Sequence, residues 1–164
     1  MTTAASAITL RPVGPADGDL LFRIYASTRA EELARVGWTE EQKQAFLLQQ
    51  FAAQSADWGK HYLAADFRII EVDGVPVGRF YVNRGAEEIG LVDIALLPEY
   101  RRNGIGTSLI RSLLDEGKSR NLPVTLHVEV FNPARSLYLR LGFETVEERG
   151  VYLFLKWTER KTVS

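Results

Sequence analysis

Apolar and polar positions change period several times along the chain, and each change marks an element. Ile8, Thr9 and Leu10 alternate before Pro12 and a Gly14-Pro15 breaker, which predicts a short first strand. Asp17 then stands as the expected N-cap of a helix with apolar positions Leu20, Leu21, Ile24 and Tyr25. Thr39 and Gln42 have capping-box spacing and open a second helix that carries Phe46, Leu47 and Phe51. From Phe67 the period shortens. Residues 67–72 and 76–82 are β-rich runs around Asp73-Gly74, a strong hairpin signal, and residues 89–97 form another strand ended by Pro98. Ile105, Leu109, Ile110, Leu113 and Leu114 then recur on one face of a helix, with Lys118 and Arg120 in its last turn. Residues 124–131 read as a strand with Leu126, Val128 and Val130 on one side. Asn132-Pro133 starts a short helix that Gly142 stops, and strands near 143–146 and 151–155 flank a turn at Arg149-Gly150.

The predicted order is therefore β-α-α-β-β-β-α-β-α-β-β. Strands and helices mixed in this way imply an α/β (α+β mixed) fold with a central mixed, mostly antiparallel sheet of about seven strands and about four helices. No repeat, low-complexity tract or linker interrupts it, so residues 1–164 are expected to form one domain.

Composition narrows the chemistry. Apolar residues make up 46% and charged residues 25% of the chain, as in a globular domain, and the net charge of −1 gives no basic excess for nucleic acid. There are no cysteines, which removes disulfides, thiolate metal sites and a cysteine nucleophile together. The two histidines, His61 and His127, lie far apart, and no spacing suggests a metal site. The first residues carry no signal-peptide pattern and no window suits a membrane span, so a cytoplasmic location is expected.

The informative segment is Arg101-Arg102-Asn103-Gly104-Ile105-Gly106-Thr107, set between a strand and an amphipathic helix. A helix start leaves backbone N–H groups unpaired and partly positive, glycines let the backbone approach a pyrophosphate, and arginines add charge-assisted bonds. A dinucleotide fingerprint would need a third glycine where Leu109 stands, and a P-loop would need a lysine before Thr107. On its own, the loop is equally readable as an ordinary strand-to-helix turn.

With its neighbours the segment resembles the acetyl-coenzyme A signature of the GCN5-related N-acetyltransferase (GNAT) superfamily. That signature, Arg/Gln-x-x-Gly-x-Gly/Ala, is matched by Arg101, Gly104 and Gly106 after a strand ending Ile94-Ala95-Leu96-Leu97-Pro98. A second family element is matched by the run from Asn132 through Tyr138 to Gly142-Phe143. The resemblance implies acetyl-CoA as co-substrate and no metal. It implies that backbone N–H groups of Arg102, Asn103, Gly104, Ile105, Gly106 and Thr107 hold the pyrophosphate, with the side chains of Arg101 or Arg102 available to it. The strand edge at Ile94, Ala95 and Leu96 would pair with the pantetheine arm and polarise the thioester carbonyl. Asn132 would hydrogen-bond the pantetheine, Arg135 belongs to the same cofactor-binding set, and Tyr138 would donate a proton to the leaving thiolate.

The expected reaction is acetyl transfer to a primary amine of a small molecule, peptide or protein. Without a cysteine, direct attack in a ternary complex is favoured over an acyl-enzyme. The amine must lose a proton first. The positions where many relatives carry a base align with Gly90 or Val92, neither of which can accept one, so Asp93 is the nearest candidate base. Glu129 and His127 are weaker candidates. Trp38, Phe46, Phe51 and Tyr62 read as core, although by analogy Trp38, Gln42, Gln49 and Tyr62 could line the acceptor. Two other functions fit the same motifs: a non-catalytic acyl-CoA binder and a generic nucleotide-phosphate domain. Exposed sheet edges are compatible with a homodimer.

Overall fold

The computed structural model describes residues 7–61 and 65–159. Their elements follow the predicted order: β1 (Ile8–Pro12), α1 (Gly18–Ala34), α2 (Glu40–His61), β2 (Asp66–Val72), β3 (Val75–Arg84), β4 (Ile89–Leu96), α3 (Ile105–Arg120), β5 (Val124–Glu129), α4 (Ala134–Arg140), β6 (Glu144–Arg149) and β7 (Tyr152–Trp157). The strands lie in the order β1-β2-β3-β4-β5-β7-β6. The β1/β2, β5/β7 and β6/β7 pairs are antiparallel and β4/β5 is parallel, which makes the sheet mixed, as the sequence predicts. Two compact units share this chain, and β3 and β4 each contribute to both.

One unit holds β1, α1, α2, β2, the first part of β3, and Ile94–Arg101. Its hairpin turns at Asp73 (φ 51°) and Gly74 (φ 82°), the paired left-handed residues that match strand twist. The capping box at α2 is formed: the Thr39 N–H donates to Gln42 Oε1 at 2.9 Å, and the Gln42 N–H to Thr39 Oγ1 at 3.2 Å. Tyr25, Leu33 and Leu47 make a buried cluster between α1 and α2, flanked by Phe22, Phe46 and Phe51. The Phe51 ring lies 5.7 Å from both Phe22 and Tyr25, so aromatic contacts align the two helices.

Asp17 departs from its expected role. It stands before α1 but makes no side-chain cap bond there. Its carboxylate instead takes two bonds from Arg11, both 2.8 Å, and one from the Gly14 N–H at 2.7 Å. A bidentate guanidinium is a stronger donor than a helix N–H, and the Gly14-Pro15 turn brings Arg11 within reach.

The other unit holds Tyr81–Asp93 and the chain from Arg102 onward. Ile105, Leu109, Ile110, Leu113 and Leu114 are all buried on α3, as their spacing predicts. At Gly117 an added Cβ would lie 2.8 Å from the Leu122 carbonyl oxygen and 3.1 Å from Val124, so the close approach of helix and strand needs a glycine there. The Arg84 guanidinium ties the end of β3 to Glu116 on α3 with bonds of 2.7 and 3.0 Å. β5 ends at Glu129, short of the predicted residue 131, because the Glu129 carbonyl accepts from the Asn132 N–H at 3.0 Å and the chain turns. β6 extends beyond the predicted stretch to Arg149. As the outer strand it is exposed at every position, and its pairing with β7 slips between Thr145 and Glu147. Charges and a bulge are common guards of a free strand edge.

The Arg11–Asp17 pair makes a pH prediction. Hydrogen bonds from Arg11 and Gly14 hold the Asp17 carboxyl down to about 2, from an ordinary value of 3.8. A carboxyl depressed by folding adds stability that is present above about pH 4 and lost as pH falls towards 2. Urea midpoints measured across that range should fall more steeply for the unsubstituted protein than for Asp17→Asn. Parallel slopes would show that the pair does not hold the carboxylate.

Candidate active site

The predicted phosphate loop begins where β4 stops. Past Leu96 the chain makes a 3-10 turn, Pro98–Tyr100, then takes left-handed backbone at Arg102 (φ 65°) and Gly104 (φ 78°). α3 starts immediately, its first closing bond running from the Ser108 N–H to the Gly104 carbonyl at 2.9 Å. Its first turn contains no acidic side chain. The N–H groups of Ile105, Gly106 and Thr107 thus form the positive end of a 16-residue helix, and Arg102 and Asn103 beside them are exposed. No heavy atom lies within 4 Å of where a Gly104 side chain would project. A loop of this shape suits an anion with several oxygens.

Arg101 behaves differently from its neighbour. Its Nε–H donates to the Leu96 carbonyl at 3.0 Å, and its Nη2 donates to Ser27 Oγ on α1 at 3.1 Å. The stretch of β4 just before it lies close to β3: a Cβ at Gly78 would sit 2.4 Å from the Ala95 carbonyl oxygen. Sequence reasoning missed both Gly78 and Ser27. A glycine inside a strand does signal close backbone approach, but Ser27 carries no such signal.

The two candidate catalytic side chains, Asp93 and Tyr138, fall in the same compact unit. Tyr138 is buried on α4, its ring meeting Phe143 edge-on at 5.7 Å. Burial raises its phenol well above the ordinary range, and the negative charge of Asp93 raises it further. Asp93, near the end of β4, is therefore close enough to act electrostatically on Tyr138. The β4/β5 ladder runs only from Ile89↔Val124 to Leu91↔Leu126, whereas β4 continues to Leu96.

Asn132 and Arg135 frame the start of α4. Asn132 Oδ1 accepts from the Ala134 N–H at 2.9 Å, so its carbonyl end caps the helix. Arg135 Nη1 reaches the Val130 carbonyl at 3.5 Å, and its Nε–H is buried without a hydrogen-bond acceptor. A buried guanidinium N–H that lacks an acceptor is costly, and fits a group that expects an oxygen.

The weaker candidates are placed elsewhere. His127 is exposed on β5 and lies against Phe154 with centroids 4.9 Å apart. Glu129 is half-buried at the end of that strand. Trp38, expected in the core, is 42% exposed and touches Phe46 edge-on, because it precedes α2 and does not lie on its buried face. Gln42 is engaged in the α2 capping box, Gln49 is exposed, and Tyr62 lies outside the described residues. Among the described residues no group of three or more His, Asp or Glu could hold a metal ion, and no helix is long and apolar enough to cross a membrane.

With this geometry in view, comparison with known proteins is decisive about family. A model described as the acetyltransferase (GNAT) family matches residues 23–143. The chain belongs to this family. Over 115 residues it is 30% identical to the ribosomal protein bS18-alanine N-acetyltransferase of Haemophilus influenzae, covering 69% of this chain and 77% of that protein. A 50-residue stretch is 46% identical to the cysteine-rich protein 2-binding proteins of mouse and human, but spans only 6% of their length. Among solved structures, the PaiA N-acetyltransferase of Thermoplasma acidophilum in complex with coenzyme A shares the fold, with a TM-score of 0.70 at 18% identity. That match covers 93% of this chain and 99% of the other.

The coupling between the two candidate catalytic groups is measurable. A tyrosine in water ionises near pH 10. Site-selective tyrosine NMR should find the Tyr138 phenol still protonated at a pH where a tyrosine in water has ionised. Asp93→Asn should move the Tyr138 transition to lower pH, and an unmoved transition would separate the two residues.

Proposed function

We propose that the 164-residue chain is one N-acetyltransferase domain that moves the acetyl group of acetyl-CoA to a primary amine in a ternary complex. The observation that carries this reading is the left-handed turn at Arg102 and Gly104, which opens α3 on a first turn that has no acidic side chain and whose N–H groups lack helical carbonyl partners. In this reading the main chain of residues 102–107 and the Arg102 side chain hold the pyrophosphate. Arg135 offers the N–H that has no acceptor among the described residues. Asn132 offers its amide nitrogen to the pantetheine, since its oxygen is already held by α4. The main chain of Ile94, Ala95 and Leu96, where β4 runs past its ladder with β5, pairs with the pantetheine and polarises the thioester carbonyl.

The chain has no cysteine, so the amine attacks the thioester directly and the carbon–sulfur bond breaks as the carbon–nitrogen bond forms. Asp93, alone or through water, takes the proton the amine must lose. Tyr138 faces the leaving sulfur as a hydrogen-bond donor. Its raised affinity for the proton keeps the phenol neutral at working pH, as a donor must be. An ordinary thiol ionises near pH 8.5, so a thiolate is a weaker base than the Tyr138 phenolate. Tyr138 therefore stabilises the departing charge through its hydrogen bond and does not release its proton outright. This refines the proton-donor role that the family resemblance implies. The bS18-alanine relative makes a peptide with an N-terminal alanine the first acceptor to assay.

Calorimetry with acetyl-CoA, and with ATP as control, should show binding that ATP cannot match. Equal binding of both would favour a generic phosphate domain. Tyr138→Phe should reduce turnover by about a hundred-fold, the lower end for loss of one hydrogen-bond donor aimed at developing negative charge, with acetyl-CoA affinity unchanged. Unchanged turnover would remove Tyr138 from the reaction, and binding without turnover of any amine would favour a non-catalytic acyl-CoA binder.

A further inference from the structure

The last residues of β4 are held by three separate contacts, all within one compact unit. The Leu97 N–H donates to the Val77 carbonyl at 2.8 Å. Gly78 has no side chain where a Cβ would stand 2.4 Å from the Ala95 carbonyl oxygen, 2.8 Å from Leu96 Cδ2 and 3.3 Å from Ile70 Cδ1. A main-chain carbonyl cannot yield as a flexible side chain can, so the absence of a Cβ lets β4 lie against β3 at this point. The third contact is Arg101. Its Nε–H donates to the Leu96 carbonyl at 3.0 Å and its Nη2 to Ser27 Oγ at 3.1 Å. Ser27 passes the connection on, its hydroxyl donating to the carbonyl of the fully buried Ile24 at 2.7 Å.

A guanidinium presents its donors in a rigid fork, so two bonds fix both its position and its plane. Here the fork spans the end of β4 and the middle of α1. We infer that Arg101 is a positioning residue for the thioester end of the donor and not a phosphate ligand. By fixing the Leu96 carbonyl it sets the plane of the neighbouring peptides, and with it the aim of the main-chain groups that pair with pantetheine. The phosphate chemistry rests on the residues after it: the exposed Arg102 and the N–H groups that open α3. The arginine of the family signature and its neighbour thus divide the work, one bracing the strand and the other meeting the anion. This inference rests on the acetyl-CoA reading above and assigns a part of that site which the reading leaves open.

The test uses the full chain and calorimetric titration with two probes, acetyl-CoA and adenosine 3′-phosphate 5′-diphosphate, which keeps the phosphates and lacks the pantetheine arm. Arg101→Ala should weaken acetyl-CoA by about five- to ten-fold, the scale of one or two lost hydrogen bonds, and leave the phosphate-only probe unchanged. Ser27→Ala, a milder change in a residue without phosphate contacts, should weaken acetyl-CoA in the same direction. The double variant should be no weaker than Arg101→Ala, because both changes release one connection. Parallel loss of both probes in Arg101→Ala, or full acetyl-CoA affinity in Ser27→Ala, would overturn the proposal. A merely destabilised loop would also lose both probes together, which separates that outcome from a selective effect on the arm. If the unsubstituted protein binds neither probe, the acetyl-CoA reading itself falls, and this inference falls with it.

Discussion

The turn from β4 into α3 requires two residues in left-handed backbone, and the chemistry of the loop depends on that requirement. Gly104 adopts this conformation without penalty, but Arg102 does so at a cost of roughly 1–2 kcal/mol for a residue with a Cβ. Uncommon backbone of this kind persists only where the surrounding structure dictates it. Here a strand ends, a 3-10 turn intervenes, and a helix begins within a few residues. Within its own unit the end of β4 is anchored by the bond from the Leu97 N–H to the Val77 carbonyl, and within its own unit α3 buries an apolar face.

A second constraint is electrostatic. Burial of Tyr138 and the nearby charge of Asp93 act in the same direction on the phenol, keeping it neutral. A neutral phenol beside a carboxylate gives one hydrogen-bond donor and one proton acceptor in the same neighbourhood. The acyl transfer to an amine proposed above uses both. Phe143 meets the phenol ring edge-on, and the Gly142 turn that brings it there has φ 103°. The short α4 therefore places the phenol, while its own first turn is held by Asn132.

Much of this was legible in the chain. The Asp73-Gly74 turn, the Thr39/Gln42 capping box and the apolar stripe of α3 all formed as their spacing predicts. Each is a local signal, in which a few neighbouring residues dictate a conformation that tertiary packing has no reason to reverse. The expectations that changed depended on distant partners. Asp17 has the chemistry of a cap, but Arg11 outcompetes the helix N–H groups for it. Trp38 has the composition of a core residue, but it precedes the helix whose buried face it was expected to share. β5 was expected to run on through Val130 and Phe131, but the turn into α4 claims the Glu129 carbonyl.

By itself the sequence determined the order of elements, the kind of sheet and the place of the strand-to-helix turn at residues 101–107, because hydrophobic period and glycine position act over short stretches of chain. It also determined which chemistry was excluded, since a chain without cysteine has no thiol nucleophile. Only the tertiary structure decided that Arg101, exposed like Arg102, turns its guanidinium to Leu96 and Ser27, and that Gly78 lies against Ala95. Two adjacent arginines are indistinguishable as letters. Their roles separate only when residues 74 positions apart in the chain come within hydrogen-bonding distance. That proximity is set by packing, which no local pattern encodes.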